Sequence, residues 1–209
     1  MVKIAFVFKK WVLFHLMQLI LASSSSFRKA QLEKLGLPFS QVSPDVDETK
    51  LDQESLPEMV LRLGIKKAQA VARLHPDALI IASDQGAQCG QHILCKPGNH
   101  QNACNQLMMM SGQSVFFYTS LVLLNAQTGQ AQTDTIRTEV KFRTLDQQQI
   151  ENYLNRDKPY QCAGSFKSEA LGVALFESVE STDPDALIGL PLIHLVKFLA
   201  NEGKDPLSI

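Results

Sequence analysis

This sequence has no Cys-x-x-Cys pair, no excess of either charge, no apolar run of membrane length and no internal repeat, and each absence removes a class of function. The four cysteines, Cys89, Cys95, Cys104 and Cys162, are scattered. That scatter argues against a zinc knuckle or a disulfide framework and leaves reduced thiols in a cytoplasmic protein as the simplest reading. Lys and Arg number 20 against 21 Asp and Glu, a net charge of −1, so nothing draws the whole molecule to nucleic acid or to an acidic membrane. Any anion site must be a local cluster. No apolar stretch is long enough to span a bilayer, and no low-complexity linker divides the chain. The leader-like start, MVKIAFVFKKWVLFHL, is interrupted by Lys9 and Lys10 and lacks a small-residue cleavage pattern, so it does not read as an export signal. We expect residues 1–16 to be an extension outside the native domain, with translation starting at Met17, and residues 17–209 to form one domain.

What is present is concentrated first in QLILASSSSFRKAQLEK, residues 18–34. A short apolar strand runs into four serines, an aromatic, two basic residues and a helical pattern. Serine hydroxyls and the free N–H groups of a helix start can converge on one anion, and Arg28 with Lys29 adds charge there. Cations in a first turn oppose the helix dipole, so they suggest a polyanionic ligand rather than helix stability. A simpler role for Ser25 or Ser26, as an ordinary helix cap, explains the serines equally well.

The rest of the chain alternates helical and extended patterns. A strand in FSQVSPDVDET ends at Ser43-Pro44 before an acidic loop with Asp45, Asp47 and Glu48. A broad apolar stripe from Ser55 to Leu74 predicts a helix despite Gly64. ALIIAS, residues 78–83, reads as a strand buried on both faces and ends directly in Asp84-Gln85. A glycine-punctuated hairpin runs to Lys96-Pro97, and a helix covers Asn99 to Met110, its three methionines read as core filler. Strands at Val115 to Leu124 and Thr133 to Phe142 form an antiparallel pair around Thr128-Gly129. A helix from Asp146 to Asn155, an irregular CAGSFKSEALG, a strand from Val173 to Glu180 and a helix from Pro191 to Asn201 complete an α/β chain with a mixed sheet.

Five positions sit where strands or helices end, the usual place for ligands in open α/β sheets. They are Arg28 with Lys29, Glu48, Lys67, Asp84 and Lys96. A carboxylate at the end of a buried strand, as Asp84 is expected to be, can hold a divalent metal or deprotonate water. Each also has a plainer reading: Asp84 as a turn cap, Lys96 as a solvated turn lysine, Glu48 as part of a wet loop. The residues alone therefore reach a phosphate-binding α/β protein with metal assistance and no further.

LILASSSSFRKAQLEKLGLPFSQVSPDVDET resembles the opening signature of the Maf family of nucleoside-triphosphate pyrophosphatases: a strand, ASxSPRR, a helix and an acidic loop. KKAQAVA, the SDQ after a strand, CKPGN where the family usually has GKP, and CAGSFKSEALG extend the similarity in order from Met17 to Gly203. The resemblance implies a mixed, strongly twisted sheet flanked by helices, like inosine-triphosphate pyrophosphatase, with a central cleft. It further implies cleavage of a nucleoside triphosphate to a monophosphate and pyrophosphate with Mg²⁺ or Mn²⁺, in a cytoplasmic enzyme able to form a homodimer. Asp84, Lys67, Lys96 and Glu48 would be catalytic, with Asp84 and Glu48 at the metal, and Ser23, Arg28 and Lys29 would hold phosphates. Phe27, Gln85 and Glu169 would set specificity. SDQ with AGSFKSE is similar to the subgroup that hydrolyses 7-methyl-GTP and keeps it out of nucleic acid. The alternatives are a dTTP/UTP pyrophosphatase and a nucleotide-binding regulator of cell division. Departures from the family pattern are Phe27 for Trp, Ser26 for Pro, Lys29 for Arg and Cys95 for Gly; none removes a charge, though Lys29 loses bidentate geometry.

Overall fold

The computed structural model describes residues 17–208, so the extension expected at residues 1–16 lies outside the described residues. Four consecutive apolar residues make β1 (Leu19–Ala22), buried along its whole length. The chain then turns through serines into α1 (Ser26–Glu33) and returns as β2 (Ser40–Val42). Ser55 and Glu58 form a capping box at the start of α2 (Leu56–Ala72), the Ser55 N–H donating to the Glu58 carboxylate at 2.9 Å. β3 (Leu79–Ala82) follows, then the hairpin of β4 (Gln85–Cys89) and β5 (His92–Leu94), and α3 (His100–Met110) capped by Asn99. Two long strands, β6 (Ser114–Asn125) and β7 (Ala131–Phe142), precede α4 (Gln147–Asp157), β8 (Phe176–Ser181) and α5 (Leu192–Asn201). Among the described residues no helix is long and apolar enough to cross a membrane.

The eight strands form one mixed sheet flanked by helices, with β1 parallel to both β2 and β3 and every other pairing antiparallel. β6 organises it. Its second half pairs with β3 and its first half with β4, while its other edge carries β7. β3 and β4 keep one register along β6, with Ala82 opposite Val122 and Gln85 opposite Thr119, so they behave as a single strand interrupted at Ser83-Asp84. Alternation then sorts side chains between faces. Leu79 and Ile81 pack with Leu32, Leu190 and Leu195 on one face; Ile80 and Ala82 pack with Ala68 and Val71 of α2 on the other. A third cluster, built from β4, α3, β6, β7 and α4, fills the far half of the sheet.

Two local expectations fail for identifiable reasons. The strand expected from Val173 begins only at Phe176, because Leu171–Leu175 forms a 3-10 turn. The Gly172 N–H donates to the Lys167 carbonyl, and a Cβ at Gly172 would lie 2.3 Å from that oxygen, so the glycine lets the chain fold back on itself. Of the three methionines only Met110 is core; Met108 and Met109 are 44% and 37% exposed.

α2 lies unusually close to β6 at Gly64, where an added Cβ would fall 2.7 Å from the Ser120 hydroxyl and 3.2 Å from a Val122 methyl. Ser120 in turn accepts the Asp84 N–H at 2.9 Å. Gly64→Ala gains about 1 kcal/mol of helix propensity but overpacks this contact, and we expect a net loss of about 1–2 kcal/mol in urea unfolding. A raised midpoint would contradict that packing.

The acidic loop before α2 is tied down by Arg62, whose Nε and Nη2 contact Glu54 at 2.5 and 2.7 Å while Nη2 also donates to the Thr49 carbonyl at 3.1 Å. The Arg62 hydrogen bond, helped by the Leu51 N–H, overcomes desolvation and lowers the Glu54 carboxyl from 4.5 to about 2. The folded value lies below the unfolded one, so this stabilisation is complete above about pH 4.5 and fades as pH falls towards 2. Glu54→Gln is expected to flatten the decline of urea stability across that window. Identical acid limbs for both proteins would disprove the contribution.

Candidate active site

The interruption between β3 and β4 creates the site. Strand alternation sends Asp84 to the α2 face, the face of Ile80 and Ala82, and sends Ser83 and Gln85 to the other. On the α2 face waits Lys67, buried to 7% exposure. Its ammonium lies 2.5 Å from Asp84 Oδ1 and 2.7 Å from Glu48 Oε1. A buried lysine stays charged only with such partners, so α2, the strand end and the acidic loop meet around one cation. The Asp84 backbone is pinned by Ser120, whose hydroxyl accepts its N–H and whose N–H donates to its carbonyl, both at 2.9 Å.

The serine corner stands beside this cluster. Ser23 is buried and its hydroxyl accepts the Ser25 N–H at 3.1 Å, while Ser25 caps α1 by accepting the Arg28 N–H at 3.4 Å. Ser25 is thus the helix cap, while Ser23, Ser24 and Ser26 border the cleft beside it without capping α1. Arg28 folds inward and donates from Nε to the Gly189 carbonyl at 2.8 Å. Burial lowers its pKa from the ordinary arginine value, and Asp84 and Glu48 act in the opposite direction. The guanidinium keeps its charge, since arginine titrates far above neutral pH.

These groups line a cleft of about 640 Å³, within the ~300–1,000 Å³ usual for small-molecule sites. Ser23, Arg28, Glu48, Lys67, Asp84 and Lys96 all border it. So do Phe27, Gln85 and Glu169, the three residues expected to choose the base. Phe27 is 39% exposed at the start of α1, so it is not a core aromatic. Gln85 Nε2 faces three acceptors, Thr119 Oγ1 and the carbonyls of Ala186 and Leu187, at 2.9–3.0 Å, which leaves its carboxamide oxygen for a ligand. The Cys162 thiol is pushed up by burial and then by Glu169, with Lys167 and Lys96 opposing. Lys29 stands apart: it does not border the cleft, and its exposed ammonium lies 3.8 Å from Glu33 one turn along α1.

For a divalent metal the donor set is partial. Among the described residues no group of three or more His, Cys, Asp or Glu could hold one. Glu48 and Asp84 nevertheless share one ammonium partner, and one or two carboxylates completed by phosphate oxygens and water is what Mg²⁺ ordinarily accepts. The residues fit a metal that arrives with a polyphosphate.

Sequence reasoning missed the segment from Asp183 to Leu190. Its 3-10 turn, Pro184–Leu187, and the following residues supply the carbonyls that receive Gln31, Arg28, Ser83, Gln85 and Thr119. The available signal was Gly189 between apolar residues just before Leu190-Pro191.

Residues 18–202 match the family described as Maf-like protein. A 7-methyl-GTP pyrophosphatase of Nitrosococcus oceani is 52% identical over 88% of this chain and 93% of its own. One from Vibrio vulnificus is 48% identical over 91% of this chain and 98% of its own. Among solved structures, the Staphylococcus aureus Ham1 protein aligns over 74% of this chain and 89% of its own, with a TM-score of 0.46 and 13% identity, too loose a likeness to bear on the site. The family match spans the serine corner, the Lys67 cluster and the Asp183–Leu190 segment alike, and the chain belongs to the Maf-like protein family.

Proposed function

We propose that this protein is a nucleoside-triphosphate pyrophosphatase acting on 7-methyl-GTP, and that it removes the modified nucleotide before nucleic acid synthesis can use it. The observation that carries this reading is one cleft bordered by the Lys67–Asp84–Glu48 cluster, by Arg28, and by an exposed aromatic and a carboxylate, Phe27 and Glu169. The names of the N. oceani and V. vulnificus relatives support the substrate. Four free thiols suit a cytoplasmic setting.

In the reaction, water adds its oxygen to the α-phosphorus, the bond from that phosphorus to the bridging oxygen breaks, and pyrophosphate leaves. Asp84 either accepts the water proton or is one of the residues that would hold a metal, which would then supply polarisation of the water. Arg28, Lys67 and Lys96 offset the charge that grows on the leaving pyrophosphate. A Mg²⁺ or Mn²⁺ ion held by Asp84 and Glu48 would supply further neutralisation of the phosphates. At the other end, N7-methylation makes the guanine ring cationic, which the Phe27 face stabilises by roughly 0.5–2 kcal/mol. The guanine edge presents adjacent N–H donors that suit the Glu169 carboxylate and the free Gln85 oxygen.

A panel of 7-methyl-GTP, GTP, dTTP and UTP, read by pyrophosphate release, tests the assignment. We expect 7-methyl-GTP to be the best substrate, and equal rates on GTP would defeat the cation argument. Asp84→Asn should lower kcat roughly 10²–10⁴-fold without unfolding the protein; a folded, fully active variant would remove Asp84 from the mechanism. Phe27→Ala should cut the preference for 7-methyl-GTP over GTP by about 2- to 30-fold.

A further inference from the structure

We infer that Gly189 is a positioning residue, whose carbonyl aims Arg28 at the phosphates and ties it to the strand end that presents Asp84. The inference rests on reading the cleft as a triphosphate site and adds a residue that no substrate atom need touch.

Among the described residues, Arg28 makes one side-chain hydrogen bond to protein, from Nε to the Gly189 carbonyl at 2.8 Å. Its Nη1 and Nη2 groups are left for a ligand. Holding a guanidinium by Nε fixes the plane of the fork, which is what bidentate recognition of phosphate requires. The same carbonyl oxygen accepts the Ser83 hydroxyl at 2.8 Å. Ser83 is fully buried and immediately precedes Asp84. One oxygen thus joins the arm that would hold phosphate to the strand that carries the proposed base.

The carbonyl is itself held firmly. Gly189 N–H donates to the Asp185 carbonyl at 3.3 Å, and Gln31 of α1 donates to the carbonyls of Asp185 and Leu190 at 2.7 and 3.2 Å. Gly189 has a φ of +132°, where a side chain is strained, and an added Cβ would stand 3.2 Å from Arg28 Nε and 3.6 Å from its Cγ. Both the backbone and the space therefore call for glycine, and the space is taken by Arg28. A glycine needed only for the turn would not have to couple to that side chain.

The test is a double-mutant cycle on the full chain, with calorimetric binding of inorganic triphosphate as the readout, so that neither base recognition nor turnover enters. Gly189→Ala and Arg28→Met should each weaken binding about tenfold or more. The double variant should bind within about twofold of Arg28→Met alone. Losses that multiply, wild-type binding by Gly189→Ala, or no triphosphate binding by the wild-type protein would each overturn the inference. Where Gly189→Ala does not fold, Ser83→Ala replaces it: a loss that vanishes in the Arg28→Met background supports the role, and an equal loss in both backgrounds or no loss in either overturns it. Pyrophosphate release by the wild-type protein is measured separately. A cycle that closes in a protein releasing no pyrophosphate would discard the proposed activity while leaving the Gly189 role intact.

Discussion

The contact on which the site depends is the buried ammonium of Lys67 between Asp84 and Glu48. Removing a lysine head group from water costs several kcal/mol unless opposite charges and hydrogen bonds replace the lost hydration. Lys67 obtains one carboxylate from the sheet and one from a loop, so three separate parts of the chain must be in place before the charge is tolerated. The close approach of α2 to β6 at Gly64 brings Lys67 down towards the sheet, and the alternation carried through Ser83-Asp84 presents the carboxylate on that same face. Packing and site chemistry are therefore set by the same few residues.

The second organising element is electrically quieter. The segment from Asp183 to Leu190 contributes backbone carbonyls rather than charges, and these receive Arg28, Ser83, Gln85 and Thr119. Carbonyl oxygens orient cationic and amide groups without neutralising them. Arg28 is thus steadied while keeping its full charge, where a carboxylate partner at the same place would compete with a phosphate for it. With a net charge of −1 overall and Arg28, Lys67 and Lys96 matched in number by Glu48, Asp84 and Glu169 around the cleft, what an anion would meet there depends on how each charge is aimed rather than on any surplus.

Much of this was legible in the sequence, and the boundary of legibility has a physical origin. The continuous apolar run of β3, the capped stripe of α2 and the serine turn before α1 are signals contained within one element, and they appear where expected. So does Asp84, just beyond the end of β3, where the apolar run gives way to polar residues. Failures occur where the deciding contact is distant or carried by the backbone. Sequence alone does not separate Lys29 from Arg28, whereas in the structure the Lys29 ammonium lies near Glu33 and solvent and Arg28 borders the cleft. The 3-10 turn that delays β8 depends on Gly172 meeting the backbone of Lys167. The carbonyl partners of Arg28 and Gln85 lie in a segment more than a hundred residues away, and a carbonyl has no letter in the sequence.

On the proposed reading, the start of α1 would serve both ends of a nucleotide from one short turn. Phe27 and Arg28 are neighbours, and successive positions on a helix diverge by about 100°. Arg28 is drawn inward to Gly189, while Phe27 keeps an open face on the cleft. Exchanging the two would bury an aromatic against a carbonyl and leave a cation facing a base that is itself cationic when methylated. The order aromatic-then-arginine suits the divergent directions the helix imposes, and Lys29, one step further on, lies outside the cleft lining with its ammonium near Glu33. With both side chains carried on the first turn of one helix, the proposed phosphate arm and base platform would keep a constant spacing, set by the helix rather than by two separate loops.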